Sequence, residues 1–222
     1  MKKIIIYGNG KMAVILYQFL RRSYEVVAFT VDDKVMSDKK IFFGLPIVAF
    51  ESVEKYFPVE EYKMIVAVGY INMNNLRVQK YKEAKQKGYD FVNYIHPSVM
   101  IHDDIIIGEN NVIFDHVSIQ PGASMGHSNY FWSNSVLAHG SSVEDGNWIA
   151  SGVVISGDTK VGSRTFLGVN ASIGHNIIVG DECFIGANSL VTKQTDANSV
   201  WINKDAEQFR LDSKRFMVFT GV

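Results

Sequence analysis

Val161-Gly162-Ser163-Arg164-Thr165-Phe166-Leu167-Gly168-Val169-Asn170-Ala171-Ser172-Ile173-Gly174-His175-Asn176-Ile177-Ile178-Val179-Gly180 decides the fold, because an aliphatic residue followed by glycine returns every six residues. The same frame runs both ways through Ile95, Ile101, Ile107, Ile113, Ile119, Met125, Phe131, Leu137, Val143, Ile149, Ile155, Val161, Leu167, Ile173, Val179, Ile185 and Val191 without an exception. With 47% of the chain hydrophobic, such a run arises by chance about once in 10⁶ in a given frame. A second series lies two residues before the first and includes Asn111, Asn129, Ser135, Asn147, Thr165 and Cys183; it has no charged or aromatic member. A spacing of two in extended chain puts both series on one face, so both point inward. Three six-residue faces close a triangular coil. Successive coils stack as parallel strands about 4.8 Å apart, with residues eighteen apart directly above one another. On spacing alone, the crossover rule favours right-handed winding.

Upstream of the repeat the pattern changes. Strand-like Lys3–Tyr7, Val26–Val31, Met64–Val68 and Phe91–Asn93 alternate with helix-like Met12–Arg22 and Asn74–Lys87, which predicts βαβ units on a parallel sheet. The chain therefore divides into an α/β, Rossmann-like unit over 1–93 and a parallel β-helix with a C-terminal cap over 94–222. The charges of the second helix, Arg77, Lys80, Lys82, Glu83, Lys85 and Lys87, are expected mostly to face water. Gly8-x-Gly10-x-x-Ala13 joins the first strand to the first helix, the context in which backbone N–H groups can approach a phosphate; a tight turn without a ligand is the simpler reading. A dinucleotide is the competing ligand, but the unit has room for only about half of a full doubly wound sheet. Asp32 and Asp33 end the second strand, where an acid accepts hydrogen bonds from a base or ribose; an ordinary polar turn is the simpler reading.

Bulk properties narrow the function. The formal net charge of -1 supplies no positive field for nucleic acid. Cys183 is the only cysteine, which excludes an internal disulfide and a cysteine-cluster metal site and fits a reducing cytoplasm. Its inward phase makes it a core filler. No run approaches the roughly 18 apolar residues of a membrane span.

The order of Tyr7-Gly8-Asn9-Gly10-Lys11-Met12-Ala13, Val31-Asp32-Asp33-Lys34, Gly69-Tyr70-Ile71-Asn72 with Arg77, Ile95-His96-Pro97-Ser98 and the repeat resembles the hexapeptide-repeat sugar acyltransferases. That family includes sialic-acid O-acetyltransferases and nucleotide-amino-sugar N-acetyltransferases. The resemblance implies a left-handed β-helix, a homotrimer, and acetyl-CoA between neighbouring β-helices. It also implies a sugar nucleotide on the N-terminal unit, held by Gly8, Gly10, Lys11, Asp32, Asp33, Lys34, Gly69, Asn72 and Arg77. His139 matches the family's catalytic histidine, and Gly157, Val169 and Ala187 match positions along the coenzyme.

The chemistry agrees with that assignment. Transfer from a thioester needs a base as an amine or hydroxyl attacks, and imidazole titrates near neutral pH. His139 follows inward Leu137 by two residues and begins a turn, so it faces out. Gly157 lies one coil above it, without a side chain to block approach. Acetyl transfer to an amino group of a nucleotide-linked deoxysugar is the expected reaction, without a covalent enzyme intermediate. Transfer to a sugar hydroxyl is the alternative. A non-catalytic, sugar-nucleotide-binding trimer is a third reading, because the acidic residue that many family members carry after the histidine is Gly140 here. Trp132 and Trp148 also depart from the pattern, as an aromatic wall for the acceptor or as packing. His139 and His175 invite comparison with the zinc site of γ-class carbonic anhydrases, but the position expected for a third histidine is Gly180, and no metal is expected.

Overall fold

A computed structural model describes residues 2–38, 40–102 and 104–221. Met1 and Val222, the ends of the two expected units, lie outside them. Lys3–Tyr7 (β1) leads through Lys11–Leu20 (α1) to Glu25–Val31 (β2). Ile41–Phe42 (β3), Leu45–Ala49 (β4), the single turn Val53–Tyr56 (α2), Lys63–Val66 (β5), Asn75–Gln86 (α3) and Asp90–Phe91 (β6) follow. The sheet order is β3-β4-β2-β1-β5-β6, parallel except for the β3–β4 pair. Ile4, Ile5 and Ile6 are fully buried, as the central strand of a sheet covered on both faces requires. The β3–β4 hairpin has no counterpart in the sequence reading. Its strand residues are few, and its turn is set by Phe43 and Gly44 at φ 52° and 77°. An aromatic cluster of Tyr17, Phe29, Phe42 and Phe43 holds it down.

The first rung of the solenoid, Tyr94–Ile95 (β7), follows two residues after the sheet ends. From there to Val200–Trp201 the chain makes three parallel ladders. The first face carries Val112–Ile113, Tyr130–Phe131, Trp148–Ile149 and Phe166–Leu167, the second Val136–Leu137 and Val154–Ile155, the third Ser142–Val143 and Lys160–Val161. Every pairing within the ladders joins residues eighteen apart except the last, Phe184 with Val200. From Asn110 to Asn188 each corner turns on one residue of positive φ, and these align in columns: Gly122, Gly140, Asp158, Asn176 in one, Ser128, Gly146, Arg164, Glu182 in another. Glycine and asparagine take this region most readily. The winding is left-handed. The crossover rule read from spacing alone pointed the other way. It describes connections that pack a helix back on a sheet, whereas here bare corners of left-handed residues make the connection.

Inside one corner, asparagines replace aliphatics for a definite reason. Asn93 Oδ1 accepts from Asn111 N, Asn111 Oδ1 from Asn129 N, Asn129 Oδ1 from Asn147 N and Asn147 Oδ1 from Thr165 N, at 2.7–2.8 Å. The corner backbone cannot pair within the ladders, and this column satisfies it. The inward aliphatics are buried from Ile113 onward, whereas Ile95 and Ile101 are 37% and 36% exposed, since no coil lies beneath them.

Two charges expected in water are instead buried. Arg77, 0% exposed, donates from Nε to Ser128 O (2.9 Å), from Nη1 to Val68 O (3.3 Å) and Gly69 O (3.0 Å), and from Nη2 to Gly146 O (2.8 Å) and Asn147 O (3.1 Å). Its guanidinium lies 4.6 Å from the Tyr130 ring centroid. Burial lowers its pKa to about 10, against the opposing pull of Tyr130, so it stays charged at neutral pH. Tyr130 Oη donates to Val66 O at 2.6 Å, and Asn110 Oδ1 accepts from Val66 N at 2.8 Å, so β5 is tied to the solenoid from both sides. Gly146, at φ 73°, lets Val78 of α3 lie where a Cβ would sit.

Lys80 is buried with Asp32: Nζ is 2.8 Å from Asp32 Oδ1 and 2.7 Å from Glu83 Oε2, and Tyr7 Oη donates to the same Asp32 oxygen at 2.8 Å. Burial raises the Asp32 pKa, but the hydrogen bonds from Lys80 and Tyr7 and the nearby positive charges outweigh it and hold the carboxyl below its ordinary value.

Replacing Arg77 by Met takes a donor from five carbonyls, of which Asn147 O keeps the Tyr130 N–H and the other four have no second donor among the described residues, and the expected loss is about 3–5 kcal/mol in urea unfolding. Arg77→Lys should recover less than half of it, because one ammonium cannot serve a planar fork of acceptors. Asp32 is also testable. A depressed folded-state pKa contributes stability that is complete above the ordinary carboxylate value near 3.8 and vanishes as pH falls through the folded value. Wild-type stability should therefore fall more steeply below about pH 4 than that of Asp32→Asn, which is the less stable protein at pH 7.

Candidate functional site

The carboxyl ends of β1, β2 and β5 open a cleft of about 400 Å³ lined by Tyr7–Met12, Val31, Val35, Ala67–Gly69, Ile71 and Leu76. β1 sits between strands reached by chain running in opposite directions, the place where a crevice forms in such sheets. Gly8 is at φ 118°, and a Cβ there would meet Ala67 O at 2.7 Å. Its N–H is bonded to Thr30 O at 2.8 Å, so the turn is locked rather than free. Gly10 precedes α1 with no side-chain cap, leaving the first-turn N–H groups directed at the cleft mouth. Beyond Gly69, three consecutive residues, Asn72, Met73 and Asn74, take positive φ and turn the chain into α3.

Of the residues assigned to the nucleotide, Gly8, Gly10, Lys11 and Gly69 line this cleft; Asp32, Asp33, Lys34, Asn72 and Arg77 do not. Asp32 is engaged by Lys80 and Tyr7. Asp33 and Lys34 are exposed beyond it, with Asp33 N donating to Glu51 Oε2 at 2.9 Å. Asn72 is exposed, and Arg77 is consumed by the junction with the solenoid. The buried partners Tyr7 and Lys80 were hidden because nothing in a strand end and a lysine-rich helix signals that they meet.

His139 stands at the corner between the second and third faces and is exposed. The built position of a Cβ on Gly157 lies 2.5 Å from His139 Nε2 and 2.7 Å from Cε1, so the imidazole lies against the glycine of the next coil. Gln120, one coil below, faces the ring from the other side: its Oε1 accepts from His139 N at 3.1 Å and lies 3.4 Å from Nδ1. Gln120 escaped the sequence reading, although its place just after inward Ile119, nineteen residues before His139, marks it as a neighbour. Gly140 is at φ 65°, and a Cβ there would collide with the carboxylate of Asp158, which occupies the space over it. Asp158 Oδ2 is 3.9 Å from His175 Nδ1. Among the described residues, no group of three or more His, Cys, Asp or Glu is placed to hold a metal ion.

The coenzyme residues separate. Gly157 shares the corner of His139, but Val169 and Ala187 lie at the corner between the first and second faces. A cavity of about 230 Å³ at that corner is lined by Trp132, Trp148, Ala150, Ser151 and Val169. Trp148 is buried against Tyr130 and Tyr70, and Trp132 stacks on Phe114 at 4.5 Å, so both tryptophans pack the junction while each shows an edge to this cavity. The α/β unit covers the first face, through Tyr70 against Trp148 and Phe166. The His139 corner is the vertex opposite that face. No helix among the described residues is long and apolar enough to cross a membrane.

Among curated proteins, none matches the chain by sequence. Residues 158–193 match the bacterial transferase hexapeptide (six repeats) profile. The acetyltransferase domain of PglB from Neisseria gonorrhoeae superposes with a TM-score of 0.80 at 19% identity, covering 94% of this chain and 100% of that one. That domain is also known in complex with acetyl coenzyme A. A variant of perosamine N-acetyltransferase from Caulobacter crescentus, in complex with CoA and GDP-perosamine, superposes with a TM-score of 0.81 at 23% identity over 90% of this chain and 93% of that one. WeeI from Acinetobacter baumannii gives 0.69 at 17% identity, with coverages of 90% and 96%. The chain thus carries the bacterial transferase hexapeptide repeat, on the two-part fold, Rossmann-like unit and left-handed β-helix, that these structures share.

Proposed function

We propose that this protein transfers an acetyl group from acetyl-CoA to an amino group of a nucleotide-linked deoxysugar, with His139 as general base. The observation that carries the reading is the column in which the imidazole lies against a glycine, one coil apart, on an open corner of the solenoid. The ligands of the similar structures, acetyl coenzyme A in one and CoA with GDP-perosamine in another, support the substrate classes. In this reading the cleft at Gly8, Gly10 and Lys11 takes the pyrophosphate, with the first turn of α1 supplying N–H groups and partial positive charge. Gly69 stands on the opposite wall, and Asp33, Lys34 and Asn72 reach the ligand from the rim.

The chemistry is a direct displacement at the thioester carbonyl. The amine nitrogen forms the new C–N bond, its proton passes to His139 Nε2, and the C–S bond breaks to release the thiolate, which takes a proton to leave as CoA thiol. Charge collects on the carbonyl oxygen before the sulfur departs, and a fixed N–H stabilises it best. Among the described residues no acceptor is assigned to the N–H of Gly157, which lies beside the imidazole and suits that role.

In this reading the site is completed by a second copy. The α/β unit that carries the cleft packs on the first face, whereas His139 of the same chain is at the opposite vertex, across a coil whose sides are about 20 Å long. A neighbouring copy that sets its His139 and Gly157 corner against the Val169 and Ala187 corner of this one brings the base, the thioester and the acceptor together. A closed three-fold ring satisfies this at every subunit. Such a reaction draws on the acetyl-CoA and sugar nucleotides of the cytoplasm.

A thiol-release assay with acetyl-CoA and a panel of amino-sugar nucleotides tests the reading. His139→Ala should lower kcat by about 10²- to 10⁴-fold. Turnover undiminished in that variant removes the base assignment, and nucleotide binding without turnover across the panel favours a binding protein. Gly157→Ala, at a backbone conformation open to any residue, should leave unfolding within about 0.5 kcal/mol of wild type. Its Cβ pushes the ring aside, so kcat should fall by about 10²-fold.

A further inference from the structure

The ring of His139 has two nitrogens, and a base must present a lone pair at the one that faces the substrate. Among the described residues, Gln120 is the side chain within hydrogen-bond range of the ring, through Nδ1. Its amide orientation is not arbitrary. The same Gln120 atom faces the backbone N–H of His139 at 3.1 Å, and a backbone N–H is a donor at every pH. An amide NH2 in that place would set donor against donor, so the atom is the oxygen. That oxygen, with two lone pairs, is then placed to accept from a protonated Nδ1 as well, 3.4 Å away. In that tautomer Nε2 keeps its lone pair, and it is the ring atom nearest the Cβ position of Gly157.

We infer that Gln120 is a positioning residue, which fixes the tautomer and direction of the His139 imidazole from the coil below. The inference rests on the proposed role of His139. It also accounts for Gly140. The position after the histidine is a corner of φ 65° where a Cβ would meet the Asp158 carboxylate, and glycine brings no orienting group of its own. The residue in the adjacent column, one coil beneath, supplies one. During transfer Nε2 gains the proton, Nδ1 keeps its own, and Gln120 Oε1 accepts from Nδ1–H before and after; no proton passes to the amide.

The tautomer is read directly from imidazole ¹⁵N chemical shifts of the labelled protein, with His139→Ala used to assign the signals. Wild type should show Nδ1–H in the neutral ring. Gln120→Leu should shift the population toward Nε2–H, and Gln120→Glu, which retains an acceptor, should restore Nδ1–H. Kinetically, Gln120→Leu should lower kcat by about 10- to 100-fold with the KM for acetyl-CoA within about twofold, and Gln120→Glu should recover most of the loss. An Nε2–H ring in wild type, or a tautomer indifferent to Gln120→Leu, overturns the inference whatever the enzyme's activity. A tautomer that follows Gln120 while His139→Ala turns over normally upholds the positioning and removes the base assignment instead.

Discussion

Five main-chain carbonyls, two from the end of the α/β unit and three from corners of the solenoid, converge on the guanidinium of Arg77. A carbonyl buried without a donor is costly; Asn147 O also accepts from the Tyr130 N–H, but among the described residues the other four are answered by this one planar cation with its five N–H groups. The charge has no carboxylate partner within this arrangement. Carbonyl dipoles and the face of Tyr130 balance it. The placement of the Gly8 cleft over the first face of the solenoid follows from this one contact set, reinforced by Tyr130 on Val66 and by Asn74 Nδ2 on the Arg164 and Thr165 carbonyls.

With the two units held in register, the repeat determines where chemistry is possible. Ladder pairing at eighteen residues commits the backbone along the sides of the triangle to hydrogen bonding, whereas the corners carry short turns whose side chains stand at the vertices. His139, Gly157 and His175 fall in one corner column, with the glycine between two imidazoles. The neighbouring column alternates Gly122, Gly140, Asp158 and Asn176 because each must take positive φ. A functional histidine on this scaffold is thus flanked by a residue chosen for backbone geometry. The group that holds it comes from the coil below, and in the proposed assembly the acceptor comes from another copy.

The asparagine column shows how the interior supports that corner geometry. Asn93, Asn111, Asn129 and Asn147 read as polar intrusions in an apolar series, yet each caps the N–H of the next coil. Asn129 Nδ2 is left without a protein partner, the one amide of the column whose second group finds no carbonyl. The column begins at Asn93, one residue before the first rung, so the ordered spacing of the solenoid already reaches into the end of the α/β sheet.

Much of this was legible in the chain of letters. Periodicities of six and eighteen are properties of local geometry repeated, so the ladders, the inward aliphatics and the stacking of His139 beneath Gly157 follow from counting. The glycine turn after β1 is likewise local, since Gly8 answers a backbone approach that a Cβ prevents. Contacts between units have no period. Arg77 and Lys80 sit in a helix whose composition reads as solvated, and only the docking of α3 against the solenoid and Asp32 turns them into buried clamps. The columns of Gln120, Gly157, Val169 and Ala187 could be counted, but that Gln120 faces the His139 ring, and that the two corners lie apart without a bridging element, took the packed coils to show. Spacing along the chain gives the column a residue occupies, whereas the distance between columns, and what faces across it, is set by how coils close and units pack in three dimensions.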